Sequence, residues 1–300
     1  MPGGSKASMV ACHYMEERDN RPMITSRQKE KAIQFRQLHS GPKMLVLPNA
    51  WDAASAWILA QAGFPAIATT SSGVAAALGY PDGQHISREM LLQVVSNITR
   101  VVECPVSVDL EAGYGDTPTE VAQTVRQIIA AGAVGINIED TTKGQQRTLV
   151  DIASQVELLK AIQAVATEMD ILLVINARTD IYLLPGGDPA SKFEQAVQRG
   201  RAYREAGADC FFPIGLTDAP TITALVKAVA APVNILTGPH APSLPELASI
   251  GVARVSFGGG LMRAALGHLR RVADELLKSG TYASMEAEMI SSKEFREMFE

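Results

Sequence analysis

Short apolar runs rich in β-branched residues alternate with longer amphipathic stretches, and the rhythm begins near residue 27. The runs are MLVLP (44–48), AIATT (66–70), VSVDL (106–110), VGINIED (134–140), LLVINAR (172–178), CFFPI (210–214), VNILT (233–237) and ARVSF (253–257). Each has the length and composition of a buried strand. The stretches 52–62, 87–102, 117–131, 151–168, 191–206, 218–229 and 243–250 carry helical spacing, and a longer helix is predicted over roughly 259–279. Several strands are introduced by one phrase: QAGFPAI, AAGAVGI, EAGADCF and SIGVARV. Each reads as a helix end, a glycine able to take the left-handed cap conformation, and the next strand. A repeated helix–Gly–strand unit predicts parallel strands joined by right-handed crossovers. Eight such units close into a (β/α)8 TIM barrel. The competing architecture is a doubly wound open sheet. Eight evenly spaced runs and the lack of a G-x-G-x-x-G after the first strand count against it. Residues 1–26 lack a period and read as a flexible N-terminal arm, 27–280 as the barrel, and 281–300 as a helical tail making subunit contacts.

Composition narrows the class. A chain of 300 residues with 47% hydrophobic content can bury a large core, and a net charge of −5 without a Lys/Arg cluster argues against nucleic acid or an anionic membrane as partner. Cys12, Cys104 and Cys210 are scattered and form no C-x-x-C pair, which points to a reducing cytoplasm and no structural zinc. No apolar run reaches membrane-spanning length, and the first residues lack the basic-then-apolar order of a signal peptide. A soluble cytoplasmic protein is expected.

In such a barrel the chemistry sits at the carboxyl ends of the strands. There the sequence offers Asn49 and Asp52, then Ser71, Ser72 and Gly73 followed by Asp82, then Asp109 and Glu111, Glu139 and Asp140, Asn176, Arg178 and Asp180, Asn234, and Ser256 before a glycine run. Asp109 and Glu111, two apart at a strand end, would share a face if the strand continued. Paired carboxylates at the edge of a core need a positive partner. Asp82, Asp109, Glu111 and Glu139 face one evident cation, Arg178. Hard oxygen donors without His or Cys suit Mg²⁺ or Mn²⁺. An ion-pair network or helix caps are the alternative, and they are the preferred reading for Asp52 and Asp140, with Asp116 a candidate cap. Arg178 can present its planar fork to a substrate carboxylate, or neutralise Glu139 or Asp109. The TSSG segment offers backbone N–H groups and hydroxyls to an oxyanion, or is simply a turn. The SFGGG segment can hold a phosphate at a helix N-terminus or permit close packing.

Taken together, TSSGVAAALGYPDG, VSVDLEAGYG, INIEDTTKG, INARTD, AGADCFFP and APVNILTG, in this order, resemble the isocitrate lyase/phosphoenolpyruvate mutase superfamily over about residues 27–280. The resemblance implies a (β/α)8 barrel whose last helix is swapped between subunits of a homo-oligomer, a dimer of dimers, and a Mg²⁺ site for small 2-oxo or 2-hydroxy acids. By motif position it implies Asp109 as a direct Mg²⁺ ligand, with Glu111 and Glu139 holding the ion largely through water. It places Asp82 beside metal and substrate, Arg178 and Asn234 on a substrate carboxylate, and Ser71, Ser72 and Gly73 around the oxo acid, with Asp82 and Arg178 as the catalytic pair.

Departures from the family pattern narrow the activity. Lyases that release succinate carry a K-[KR]-C-G-H loop after the fourth strand, whereas here the loop reads DTTKGQQRTLVD, residues 140–151, without Cys or His. A basic carbanion needs a positioned acid, so isocitrate-type cleavage is disfavoured. The loop has Lys143 but lacks the Asn of phosphonomutases, and Ile214 stands where many lyases carry Glu. The sequence therefore leads to a Mg²⁺-dependent lyase or decarboxylase acting on an oxaloacetate-like 2-oxo or 2-hydroxy acid. The alternatives are C–P bond chemistry (phosphonopyruvate hydrolase or phosphoenolpyruvate mutase) and a 2-oxo-acid-binding protein with little turnover.

Overall fold

The computed structural model describes residues 24–142 and 147–300; most of the expected N-terminal arm and Lys143 lie outside them. The apolar runs form β1 (Leu45–Leu47), β2 (Asn49–Ala50), β3 (Ile67–Thr69), β4 (Val106–Asp109), β5 (Gly135–Glu139), β6 (Val174–Thr179), β7 (Cys210–Pro213), β8 (Asn234–Leu236) and β9 (Arg254–Ser256). Every pairing between these strands is parallel. One ladder runs β2-β3-β4-β5-β6-β7 and the other β1-β9-β8. Eight runs give nine strands because Pro48, which has no N–H to donate, splits the first. β1 pairs with β9, β2 pairs with β3, and the Pro48 carbonyl accepts from Ala68 N at 2.9 Å. A bridge between Phe211 and Val233 joins the far ends of the two ladders. The ring thus closes into a (β/α)8 barrel. The glycines of the repeated phrase all have positive φ: 88° at Gly63, 97° at Gly132, 102° at Gly207 and 91° at Gly251.

The helices between strands follow the expected spans closely, for example Pro118–Ala130, Ile152–Glu168 and Gly260–Ser279. Asp52 caps its helix with a reciprocal Ser55 box. Asp116 is not a cap; Thr117 fills that role with Glu120 three residues on. Ser26–Ser40 forms a helix that the sequence reading did not separate from the barrel. Its face is nearly all polar, but Ala32, Phe35 and His39 are buried at the foot of the barrel. An added Cβ on Gly135 would stand 2.5 Å from the Phe35 ring, so the ring fills the barrel floor where β5 has no side chain. Beyond the long final helix lie two short ones, Ala283–Glu288 and Ser292–Glu297.

Outward positions of the strands, such as Ile136, Ile138 and Ile175, are fully buried against the helices. Inward positions are polar, and Ser107, Asp109, Asn137, Asn176, Arg178, Asn234, Arg254 and Ser256 line a cavity of about 260 Å³. Barrel interiors of this type are ordinarily packed with branched aliphatic side chains. The polar interior is therefore the first structural sign of a site.

Candidate active site

At the mouth, the inner cavity adjoins a second of about 460 Å³ lined by Ser71, Asp82, Gln84, His85, Glu111, Glu139, Arg147 and Arg178. Ser71, Asp82, Arg147 and Arg178 border both. The expected residues Ser71, Ser72, Asp82, Asp109, Glu111, Glu139, Arg178 and Asn234 are thus brought to one continuous opening. Gly73 is not a cavity residue. It is buried in the helix Ser71–Ala77, where an added Cβ would meet Thr70 Cγ2 at 2.6 Å and Trp51 Cβ at 3.0 Å. TSSG is therefore a helix start rather than a loose turn, and the Ser71 N–H it exposes donates to Asp109 Oδ2 at 3.1 Å.

Asp109 and Glu111 come together differently from the expectation of a continuing strand. β4 ends at Asp109, and Glu111 has φ 51°, in the left-handed region. The turn brings Glu111 back over the strand end, its N–H donating to Asp109 Oδ1 at 3.3 Å. Glu111 is locked there by Gln84 N, which donates to Oε2 at 2.8 Å, and by the Tyr114 hydroxyl, which donates to Oε1 at 3.2 Å. Gln84 and Tyr114 also have positive φ, and Tyr114 N donates to Gln84 Oε1 at 2.9 Å. Left-handed backbone at three non-glycine positions is strain of about 1–3 kcal/mol each, held in place by this interlock. Burial, followed by the charges of Asp109, Asp82 and Glu139, pushes the Glu111 carboxyl up to about 8. Burial and then Glu111 raise the Tyr114 phenol, which stays a donor. Asp109 also accepts from Asn137 Nδ2 at 2.9 Å.

Glu139 has different partners. Arg178 Nη1 lies 2.9 Å from Oε2, and Arg147 Nη2 lies 2.6 Å from Oε1. Arg178 also clamps Asp180 through Nε at 2.6 Å and Nη2 at 2.9 Å, and Arg147 reaches the same carboxylate at 2.7 Å. Two arginines and two carboxylates thus form a charge-balanced square. Burial opposes the Arg178 charge, but Glu139 and Asp180 hold it firmly protonated. A guanidinium has five N–H donors, so one hydrogen on each terminal nitrogen of Arg178 remains for a ligand. Sequence reasoning named Arg178 as the one evident cation and missed Arg147. Its only signal was a basic residue in a loop otherwise read as depleted. Asp140 is paired with Arg199 at 3.0 Å and Tyr203 at 2.7 Å behind the barrel wall, and Asn49 ties β2 to β3 and to the backbone at Phe257 and Gly258. Gly259 packs against Ser72, whose Oγ would be 2.9 Å from an added Cβ, so the glycine run gives close approach.

The donor chemistry can be tested against a divalent ion. Among the described residues no three acidic, His or Cys side chains converge tightly enough to cage a metal by themselves. Within the expected ligand trio Glu139 is engaged by arginines, while Asp109 and Glu111 have no Lys or Arg of the described residues within 4 Å. The Glu111 carboxyl, pushed up to about 8 by burial and then by the charges of Asp109, Asp82 and Glu139, would be stabilised in its charged form by a cation beside it. Mg²⁺ keeps most of its waters and takes one or two carboxylates, which is what Asp109 and Glu111 can supply. The residues present fit such an ion.

Comparison with known proteins agrees with this geometry. Residues 35–277 match the family model described as phosphoenolpyruvate phosphomutase. An uncharacterized protein of Mycobacterium tuberculosis (strain ATCC 25618 / H37Rv) is 36% identical over 267 residues, covering 86% of this chain and 96% of its own. The 2-methylisocitrate lyase of Aeropyrum pernix is 31% identical over 272 residues, covering 88% and 85%. A crystal structure from Burkholderia cenocepacia J2315 superposes with a TM-score of 0.84 at 39% identity, covering 92% of this chain and 97% of that one. With the closed barrel, the acidic mouth and the Arg178 clamp on one chain, this protein belongs to the isocitrate lyase/phosphoenolpyruvate mutase superfamily.

Proposed function

We propose that this chain is a Mg²⁺-dependent carbon–carbon lyase or decarboxylase acting on a small, oxaloacetate-like 2-oxo or 2-hydroxy acid. The observation that carries the reading is the Asp109–Glu111 pair, with no Lys or Arg of the described residues within 4 Å, at a mouth that Arg178 borders. Asp109 would hold the ion directly and Glu111 in part through water, with Asp82 at the rim; Mn²⁺ suits the same donors. Bound there, the ion supplies Lewis-acid stabilisation of the enolate charge that forms when a carboxyl or acyl group departs. The protein's own part is orientation. Arg178 offers its remaining N–H groups to a substrate carboxylate, Ser71 and Ser72 present hydroxyls at the rim, and Asn234 faces the inner cavity. The buried interior keeps these interactions in a low-dielectric setting, where they are strong.

The Cys and His that a succinate-releasing lyase carries in the loop after the fourth barrel strand have no counterpart in residues 140–151. Cys210 lies within β7 and is fully buried, and Cys104 lies outside the barrel. Proton NMR of the full chain with Mg²⁺ and oxaloacetate, 2-methylisocitrate, 2,3-dimethylmalate or phosphonopyruvate tests the reading. Pyruvate from oxaloacetate above the metal-only rate, lost in Asp109→Ala, supports it. Oxalate and acetate would make the enzyme a hydrolase, succinate would overturn the loop argument, and phosphate or phosphoenolpyruvate from phosphonopyruvate would move it to C–P chemistry. Binding without turnover would make it a 2-oxo-acid-binding protein.

The assembly is proposed as a dimer of dimers exchanging the helix Gly260–Ser279. Leu269 and Leu277 on that helix are 61% and 86% exposed in the single chain, which gives a second copy an apolar face to cover. Light scattering on the eluted protein measures the assembly, and a monomer would overturn it.

A further inference from the structure

Arg254 is the first residue of β9, is 2% exposed, and lines the inner cavity. Among the described residues no carboxylate lies within 4 Å of it, and its Nε has no hydrogen-bond partner. Among the described residues its one side-chain neighbour in hydrogen-bonding range is His39 Nε2, at 3.5 Å from Nη1. His39 Nδ1 donates to the Phe35 carbonyl at 2.8 Å, so Nε2 is the neutral acceptor and brings no negative charge. The other titratable neighbours are the Cys210 thiol, which burial pushes up to about 12 and keeps neutral, and Asp109, whose charge favours the guanidinium without an ion-pair contact. Burial lowers Arg254 only to about 10, so the guanidinium is charged at neutral pH. A buried cation without a directly paired carboxylate is costly. Arg178, by contrast, is already balanced by Glu139 and Asp180.

Polar groups without partners surround it. Asn234, its register neighbour across the β8–β9 ladder, is fully buried with Oδ1 unpaired, and Nδ2 donates to Ser256 Oγ at 3.1 Å. A hydroxyl both donates and accepts, so Asn234 can turn its amide over, keep the Ser256 bond, and aim its NH₂ into the cavity. Ser107 Oγ is likewise unpaired and lines the same space.

We propose that Arg254, with Asn234, forms a buried anion subsite on the barrel floor that takes the substrate carboxylate remote from the metal-binding end, so that dicarboxylates are selected over monocarboxylates. This rests on the reading of the mouth as a metal–oxo-acid site. It adds that the acid lies along the barrel axis, one end at Asp109 and the other at Arg254.

Malate and 2-hydroxybutyrate have the same four-carbon chain and differ in a terminal carboxylate against a methyl group. Their binding to the full-length protein in saturating Mg²⁺, measured by calorimetry, tests the subsite. Wild type is expected to prefer malate by about tenfold or more, the range of a charge-assisted hydrogen bond. Arg254→Met is expected to remove that preference while leaving 2-hydroxybutyrate affinity within about threefold, its fold checked by thermal unfolding. Should that variant not fold, Asn234→Asp places a fixed carboxylate beside the guanidinium and is expected to abolish the preference as well. A malate preference that survives either folded variant overturns the subsite and leaves the metal–oxo-acid reading standing. Failure of wild type to bind either acid overturns that reading and the subsite with it.

Discussion

Arg147 reaches out of the loop after β5 and lies 2.6 Å from Glu139 and 2.7 Å from Asp180, so two carboxylates at the barrel mouth share a cation that comes from a surface segment. The second cation of that square, Arg178, belongs to the wall. The two should behave differently on removal. Arg147 is 42% exposed at its side chain, and Arg147→Ala should change stability by within about 1 kcal/mol. Asp180→Ala leaves the buried Arg178 guanidinium with Glu139 as its remaining carboxylate and should cost up to about 3–5 kcal/mol. Urea denaturation of both variants measures the contrast.

Metal binding should be coupled to a proton. Glu111 sits at about 8 in the metal-free protein, so it is mostly protonated at pH 7, and a divalent ion must displace that proton. Mg²⁺ affinity should rise as pH climbs from 6 to about 8 and level off above it. Calorimetry at pH 7 in two buffers of different ionisation enthalpy should report close to one proton released, and Glu111→Gln should release none.

His39 gives the fold a pH dependence of its own. Burial, with the Arg254 charge behind it, holds the imidazole down to about 3, against an ordinary 6.5. The unfolded chain therefore binds a proton that the folded chain refuses between those values. Stability is complete above pH 6.5 and falls below it, by up to about 1.4 kcal/mol per pH unit for this one group, until about pH 3. Stability curves of wild type and His39→Gln should converge in slope above pH 6.5 and separate below it.

The floor of the barrel is tightly filled. Phe35→Ala should cost about 3–5 kcal/mol through the cavity it leaves. Gly135→Ala puts a methyl 2.5 Å from the same ring and should cost about 1–3 kcal/mol through overpacking. The pair Phe35→Ala/Gly135→Ala should cost less than the sum of the two, as denaturation of all three variants would report.

The barrel itself was legible because strand length, helix spacing and the capping glycines all repeat, and each repeat constrains the next. The mouth carboxylates were legible because acidic residues rarely end apolar runs without a purpose. What escaped was set by contacts distant in sequence. Nothing in SRQKEKAIQFRQLHS marks Phe35 as a plug, because its partner is the missing side chain of Gly135, a hundred residues on. Arg254 looked like one basic residue among many, since only the closed ring reveals that no carboxylate of the described residues meets it. Glu111 was placed beside Asp109 by strand alternation, whereas a left-handed turn puts it there.

The helix Ser26–Ser40 is translated before any part of the barrel it seals. Its contacts run forward to Ile129, Ala133, Asp209 and finally Arg254, which His39 meets across 215 residues of chain. An emerging polypeptide therefore has to carry His39 without its partner until the last stave leaves the ribosome. Such long-range closure is slow, so a helix made before the barrel gains its full set of partners only when the ring closes.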